Sequence, residues 1–206
     1  MHYTSIENIH KVIDPLFLDD LKKEFKEIQA VTVRRTKEKR LDEFQNKLAS
    51  LTFLDPACGS GNFLTETYLS LRRLENEVIR ERVGGQITLG EVHNPIKVSI
   101  QQFYGIEIND SAVTVAKTAL WIAESQMLEE TKNIVYGFND DFLPLKTYVN
   151  ITEGNALRID WNEVVPVERL SYIMGNPPFV GYSYQSESQK KDIENVYVCL
   201  LYTSDA

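Results

Sequence analysis

The chain has little cysteine, no excess of positive charge and no long apolar run. Cys58 and Cys199 are the only cysteines in 206 residues. Two are too few for a disulfide framework or a tetrahedral thiolate zinc site. His2, His10 and His93 stand far apart in the sequence, so no metal cluster is expected. Lys and Arg number 22 against 30 Asp and Glu, a net charge of −8. That argues against a chain that grips nucleic acid by bulk charge, though not against one that supplies chemistry beside a basic partner domain. Apolar runs such as Ala119–Ala123 fall far short of the roughly 20 residues that span a bilayer. Met1–Ser5 has neither the basic region nor the cleavage site of a signal peptide, so none is expected. There is no internal repeat and no low-complexity tract. What is present is 43% hydrophobic and 25% charged residues, enough to bury a core. The expectation is a soluble α/β protein of a reducing compartment.

The first 50 residues read as helical. Ser5 is a plausible N-cap, followed by Ile6, Ile9, Val12 and Ile13 at helical spacing. Pro15 is expected to interrupt. A second helix carries Leu18, Leu21, Phe25 and Ile28, and a third Leu41, Phe44 and Leu48. Between them, Arg34–Arg40 is basic. It is either a solvated loop and helix start or a phosphate-facing patch.

From Leu51 the period changes. Leu51–Leu54 predicts a short buried strand, ended by Asp55-Pro56. A long amphipathic helix follows, with Leu64, Tyr68, Leu71, Leu74, Val78 and Ile79 on one face, until Gly84-Gly85 stops it. Gln86–Ser99 is read as an insertion, Phe103–Ile108 as a second strand, and Asp110 or Ser111 as the cap of another helix. Asn133–Asn150 is irregular. Ile151–Asn155 and Ser171–Met174 are two more strands. Strands alternating with helices predict an open parallel sheet with helices on its faces. Such sheets bind ligands outside the carboxyl ends of their strands. The unusual loops of this chain all fall there.

The first strand runs into Asp55-Pro56-Ala57-Cys58-Gly59-Ser60-Gly61-Asn62-Phe63. Gly59 and Gly61 let the backbone turn tightly, and the next helix presents unpaired N–H groups to a ligand above the strand. A dinucleotide fingerprint needs a third glycine where Leu64 stands, so it fails. Asp55 suits a ligand with a positive amino group, such as S-adenosyl-L-methionine. The alternative is a purely structural strand-to-helix turn. At the tip of the second strand, Glu107 can accept bonds from both ribose hydroxyls or be a solvated loop carboxylate. Ile108 can cover one face of an adenine. After the third strand, Asn155 either contacts that adenine's edge or closes an Asx-turn. The fourth strand runs into Asn176-Pro177-Pro178-Phe179. The prolines withhold N–H donors, leaving the Asn176 oxygen and the Pro177 carbonyl as acceptors for an amine. Phe179 offers an aromatic face for a flat base. A rigid loop with a buried Phe is the plainer alternative. Cys58 sits outside any Pro-Cys context and is read as packing.

LDPACGSGNFL (54–64), YGIEIND (104–110) and NPPF (176–179) together resemble the amino-methylating DNA methyltransferases. The likeness is strongest to the adenine-N6 branch of restriction-modification and phage-defence systems. His2-Tyr3-Thr4-Ser5 before an apolar helix is similar to the upstream cofactor motif of the gamma arrangement. The resemblance covers Met1 to Lys191. It implies a Rossmann-like class I methyltransferase sheet that uses S-adenosyl-L-methionine and acts on double-stranded DNA in the prokaryotic cytoplasm. By it, Tyr3 and Thr4 lie near the methionine part of the cofactor, which Asp55 and Gly59 hold, while Glu107 holds the ribose and Asn155 the adenine. Pro56, Ala57, Cys58, Gly61, Asn62, Phe63, Ile108 and Ala156 are also implied to bind the cofactor. Asn176, Pro177, Pro178 and Phe179 engage a flipped base, and no metal is involved. Many relatives carry Asp where this chain has Asn155.

Residues 1–50 are expected to form an N-terminal helical segment, 51–191 a partial methyltransferase domain, and 192–206 a non-native or truncated tail. The recognition domain would lie beyond the chain, leaving the fragment inactive by itself. Two other functions fit the same motifs: a methyltransferase acting on RNA bases or protein glutamine, and a non-catalytic module that binds the cofactor.

Overall fold

The computed structural model describes residues 4–84, 95–135, 149–178 and 180–202. Four short strands, β1 (Phe53–Asp55), β2 (Phe103–Glu107), β3 (Asn150–Glu153) and β4 (Tyr172–Ile173), pair in the order β3-β2-β1-β4. All three pairings are parallel. The order reverses at β1: the chain runs outward through β2 and β3, then returns to place β4 on the other side. That reversal opens a crevice above the β1 and β4 tips, where ligands bind in such sheets.

Aromatic side chains lock the register. Phe53 is opposite both Phe103 and Tyr172. Its ring stacks on theirs at centroid distances of 5.1 and 5.5 Å. Phe17 closes the row at 5.1 Å from Phe53, and Tyr68 meets Phe103 edge-on at 5.6 Å. Such pairs add to the burial of their area. This face carries most of the core: α4 (Asn62–Val83), α5 (Asp110–Lys132) and the N-terminal helices α1 (Ile6–Ile13), α2 (Asp19–Gln29) and α3 (Arg34–Ser50). The opposite face holds a smaller cluster. Leu54, Ile106 and Val165 are buried there, with Trp161 and Val164 of α6 (Trp161–Val164) against them.

Ser5 caps α1 as expected, accepting from the Asn8 N–H at 3.4 Å. Pro15, however, does not end the helix. Asp14–Leu18 forms a π-turn that runs directly into α2, with the Asp19 N–H bonded to the Asp14 carbonyl. A proline ring clashes with the carbonyl four residues back, and a wider turn makes room for it. Arg34–Arg40 lies wholly within α3 rather than partly in a loop. There Arg34 pairs with Glu38 at 2.8 Å and Lys37 with Glu81. The cap of α5 is Asn109, not Asp110 or Ser111; its side chain accepts from the Ala112 N–H at 3.1 Å. Most of Gln86–Ser99 and of Asn133–Asn150 lies outside the described residues. The last helix, α7 (Glu187–Tyr202), crosses residue 191 without a break. No helix among the described residues is long and apolar enough to cross a membrane.

Candidate active site

The tips of β1, β2 and β4 converge. The β1 chain leaves Asp55 through a turn in which the Ala57 N–H donates to Asp55 Oδ1 at 3.0 Å. The Cys58 N–H donates to the Ile106 carbonyl at 3.0 Å, tying the loop to β2. Gly59 and Gly61 have φ of +55° and +81°, a region that L side chains rarely adopt. A Cβ on Gly61 would lie 3.0 Å from Ala116 Cβ, so glycine there also lets α4 approach α5. A Cβ on Gly59 would meet nothing within 4 Å, so the loop faces open space. No side chain caps the N-terminus of α4.

Glu107 holds this loop in place. Its Oε2 accepts from the Gly59 N–H and its Oε1 from the Asn109 N–H, both at 2.9 Å. Each oxygen keeps a further lone pair for a ligand hydroxyl. Ile108 beside it is 68% exposed, an apolar surface at the mouth of the site.

Asp55 is buried and, among the described residues, no basic side chain pairs with it. Burial, with the nearby Glu107 charge adding to it, pushes its carboxyl up to about 7, against the Ala57 hydrogen bond. A buried acid without a cation is what an amine-bearing ligand would stabilise. Cys58 is also buried, and burial pushes its thiol up to about 12. Its sulfur packs over Gly105, where a Cβ would come within 2.8 Å. The packing reading of Cys58 therefore fits, and a thiolate nucleophile does not. Phe63 is buried and belongs to the core, so only its backbone faces the loop. Pro56, Ala57 and Asn62 are half-buried around it.

The β4 tip brings the second motif to the first. A Cβ on Gly175 would come within 2.9 Å of Asp55 Cγ, so only glycine lets the two strand ends touch. Asn176, Pro177 and Pro178 follow, all exposed. The Asn176 Nδ2 donates to Thr4 Oγ1 at 3.2 Å. The N-terminal motif thus meets the Asn-Pro-Pro loop across 172 residues of chain. With the amide nitrogen held by Thr4, the Asn176 oxygen accepts no protein hydrogen bond among the described residues. Tyr3 and Phe179 lie outside the described residues.

At β3, Asn155 does close an Asx-turn: its Oδ1 accepts from the Leu157 N–H at 2.9 Å. Its Nδ2 donates to Asp192 Oδ2 at 3.1 Å. The half-buried Ala156 gives its carbonyl to Trp161 Nε1 at 2.8 Å. Gly175 directly precedes the Asn-Pro-Pro motif. Asp192 and Arg158 carry no local sequence signal, because 34 to 37 residues separate Asp192 from its partners.

Residues 31–203 match the family model described as the MmeI DNA-methyltransferase domain. The chain is 43% identical over 199 residues to DNA methyltransferase A of Bacillus subtilis, covering 96% of this chain and 22% of that protein. Over 74 residues it is 32% identical to the adenine-specific methyltransferase PglX of Streptomyces coelicolor, covering 35% of this chain and 5% of that one. Among solved structures, the type IIL restriction-modification enzyme MmeI in complex with DNA superposes with a TM-score of 0.86 at 43% identity. That match covers 95% of this chain and 25% of the enzyme. The chain thus spans about a quarter or less of the proteins it matches. Its parallel sheet, its glycine loop and its Asn-Pro-Pro turn lie inside the matched region, and the chain belongs to the MmeI DNA-methyltransferase domain family.

Proposed function

We propose that this domain transfers a methyl group from S-adenosyl-L-methionine to N6 of an adenine flipped out of double-stranded DNA. The observation that carries this is the contact of two motifs at the β1–β4 crevice. The Asn176 amide is anchored by Thr4, and Gly175 presses the loop against Asp55.

The residues present fit the cofactor. Asp55 would take the amine, the Gly59 loop and Thr4 the methionine part, Glu107 the ribose, Ile108 an adenine face and Asn155 its edge. The bound cofactor supplies an electrophilic methyl on a sulfonium. Asn176 Oδ1 and the Pro177 carbonyl accept the two hydrogens of the target amine. The amine lone pair is otherwise delocalised into the ring, and the two acceptors favour a pyramidal, more nucleophilic nitrogen. S-adenosyl-L-methionine would give up its methyl group and leave as S-adenosyl-L-homocysteine, and the amine would release one proton to solvent. Positioning and electrostatics carry the rate, and no covalent enzyme intermediate is needed. The relative named for adenine specificity and the DNA-bound neighbour support the choice of base and of polymer.

The test is N6-methyladenine formation measured by mass spectrometry on an enzyme that carries this domain together with a DNA-recognition domain, with duplex DNA, RNA of the same sequence and a glutamine peptide as competing substrates. Asn176→Ala is expected to lower turnover about 100-fold or more, the scale of one lost transition-state contact, with cofactor affinity nearly unchanged. Parallel loss of both would make the loop a cofactor element instead.

A further inference from the structure

We infer that Asp192, on α7, is a positioning residue that sets the Asn155 amide to recognise the adenine edge of the cofactor, an inference that rests on the cofactor reading above. Asp192 is buried, 8% exposed, at the seam between α7 and the loop after β3. Its Oδ2 accepts from Asn155 Nδ2 at 3.1 Å and its Oδ1 from Arg158 Nε at 2.8 Å. Arg158 in turn donates through Nη2 to Ser188 Oγ at 2.9 Å, so the cluster is braced at two points of α7.

The hydrogen bond from Arg158, with its charge, holds the Asp192 carboxyl below the usual range and keeps it ionised. An ionised carboxylate only accepts hydrogen bonds, so it admits only the nitrogen of the Asn155 amide. On the other side, the Leu157 N–H only donates, and admits only the oxygen. The two contacts together exclude the flipped amide. They leave one N–H and one oxygen lone pair of Asn155 unused.

Asn155 stands two residues beyond Glu153, the register partner of Glu107, and the Gly154 N–H bonds the Glu107 carbonyl at 2.8 Å. The amide is therefore next to the proposed ribose holder. Adenine presents an acceptor, N1, beside a donor, the N6 amine, which complements an amide in the fixed orientation. Hypoxanthine presents the reverse, N1–H beside O6. Asp192 thereby makes the site selective for an adenosyl over an inosyl ligand, through Asn155 and without touching either.

Calorimetry on the full chain with S-adenosyl-L-homocysteine and S-inosyl-L-homocysteine tests this. The unaltered chain should prefer the adenosyl ligand. Asp192→Ala should weaken adenosyl binding about tenfold, the scale of one hydrogen bond, and leave inosyl binding within about twofold. Asp192→Asn keeps the side-chain shape. It should act in the same direction at about threefold, because an amide can present either end. In an Asn155→Ala background neither change should alter the preference further. Equal weakening of both ligands, or a loss of preference that persists without Asn155, would mean that Asp192 only docks α7, and would overturn the inference. If the unaltered chain binds neither ligand, the cofactor reading itself fails, and this inference with it.

Discussion

With Asp55 taking the cofactor's amine as proposed, one side chain would join folding to binding. Its carboxyl, raised to about 7 chiefly by burial, holds a proton in the folded chain that the unfolded chain releases near pH 4. Between those values the folded state binds the extra proton, so stability from this group falls as pH rises to about 7 and is level above it. Ligand binding runs the opposite way. A cationic amine needs the carboxylate, so below pH 7 a proton must leave first. Affinity for S-adenosyl-L-homocysteine is expected to rise with pH up to about 7, with proton release visible as buffer-dependent calorimetric heats. Asp55→Asn should abolish both the slope and the released proton. A pH-independent affinity in the unaltered chain would separate Asp55 from the amine.

The helices around the sheet are held by polar contacts as well as by the apolar core. Arg72 and Glu75 of α4 are 1% and 0% exposed and form an ion pair. Arg72 Nη2 donates to Thr131 Oγ1 of α5 at 2.7 Å. Glu75 Oε1 accepts from Gln45 Nε2 of α3 at 2.8 Å and from the Lys97 N–H at 2.6 Å. One cluster thus joins three helices to the segment that leads into β2. Removing one partner of such a pair strands a charge in the interior. Arg72→Met is expected to cost about 3–5 kcal/mol, read by urea denaturation. Arg72→Met combined with Glu75→Leu should recover part of that, because the pair leaves together. The π-turn at Pro15 acts at the same scale. It carries one helix smoothly into the next, and Phe17 within it reaches Phe53 and Tyr172.

At the scale of the molecule, the sheet is covered unevenly. One face lies under five helices, while the other is shielded by the cluster of Leu54, Ile106 and Val165. Among the described residues β4 has one neighbour, β1, and Ile173 on it is 52% exposed. An apolar edge strand with unpaired backbone groups is a template for a second copy. The 206-residue chain is therefore expected to self-associate with rising concentration in sedimentation experiments. Ile173→Lys should suppress this by placing a charge on the edge. An unaltered chain that stays monomeric at high concentration would mean that the edge is already protected.

The sequence by itself determined the local things. Period 3.6 marked the buried faces of α2 to α4, whereas in α1 Ile9 and Ile13 are buried but Ile6 and Val12 face outward; the acid-and-glycine loop and the Asn-Pro-Pro turn announced themselves by composition. Glycines and prolines constrain the backbone wherever they stand, so their motifs are legible without neighbours. Strand order, the Thr4–Asn176 contact and the Asp192–Asn155 contact were decided by the tertiary structure, because each joins segments far apart in the chain. Even two local expectations yielded to it. Pro15 was expected to stop a helix, but the packing of Phe17 and Leu18 into the core favours a widened turn over a break. Asn109 rather than Asp110 caps α5 because β2 ends at Glu107, which leaves Asn109 as the extended residue before the first helical turn. Composition selects which residues can serve at a site; only the folded sheet brings the β1, β2 and β4 tips together.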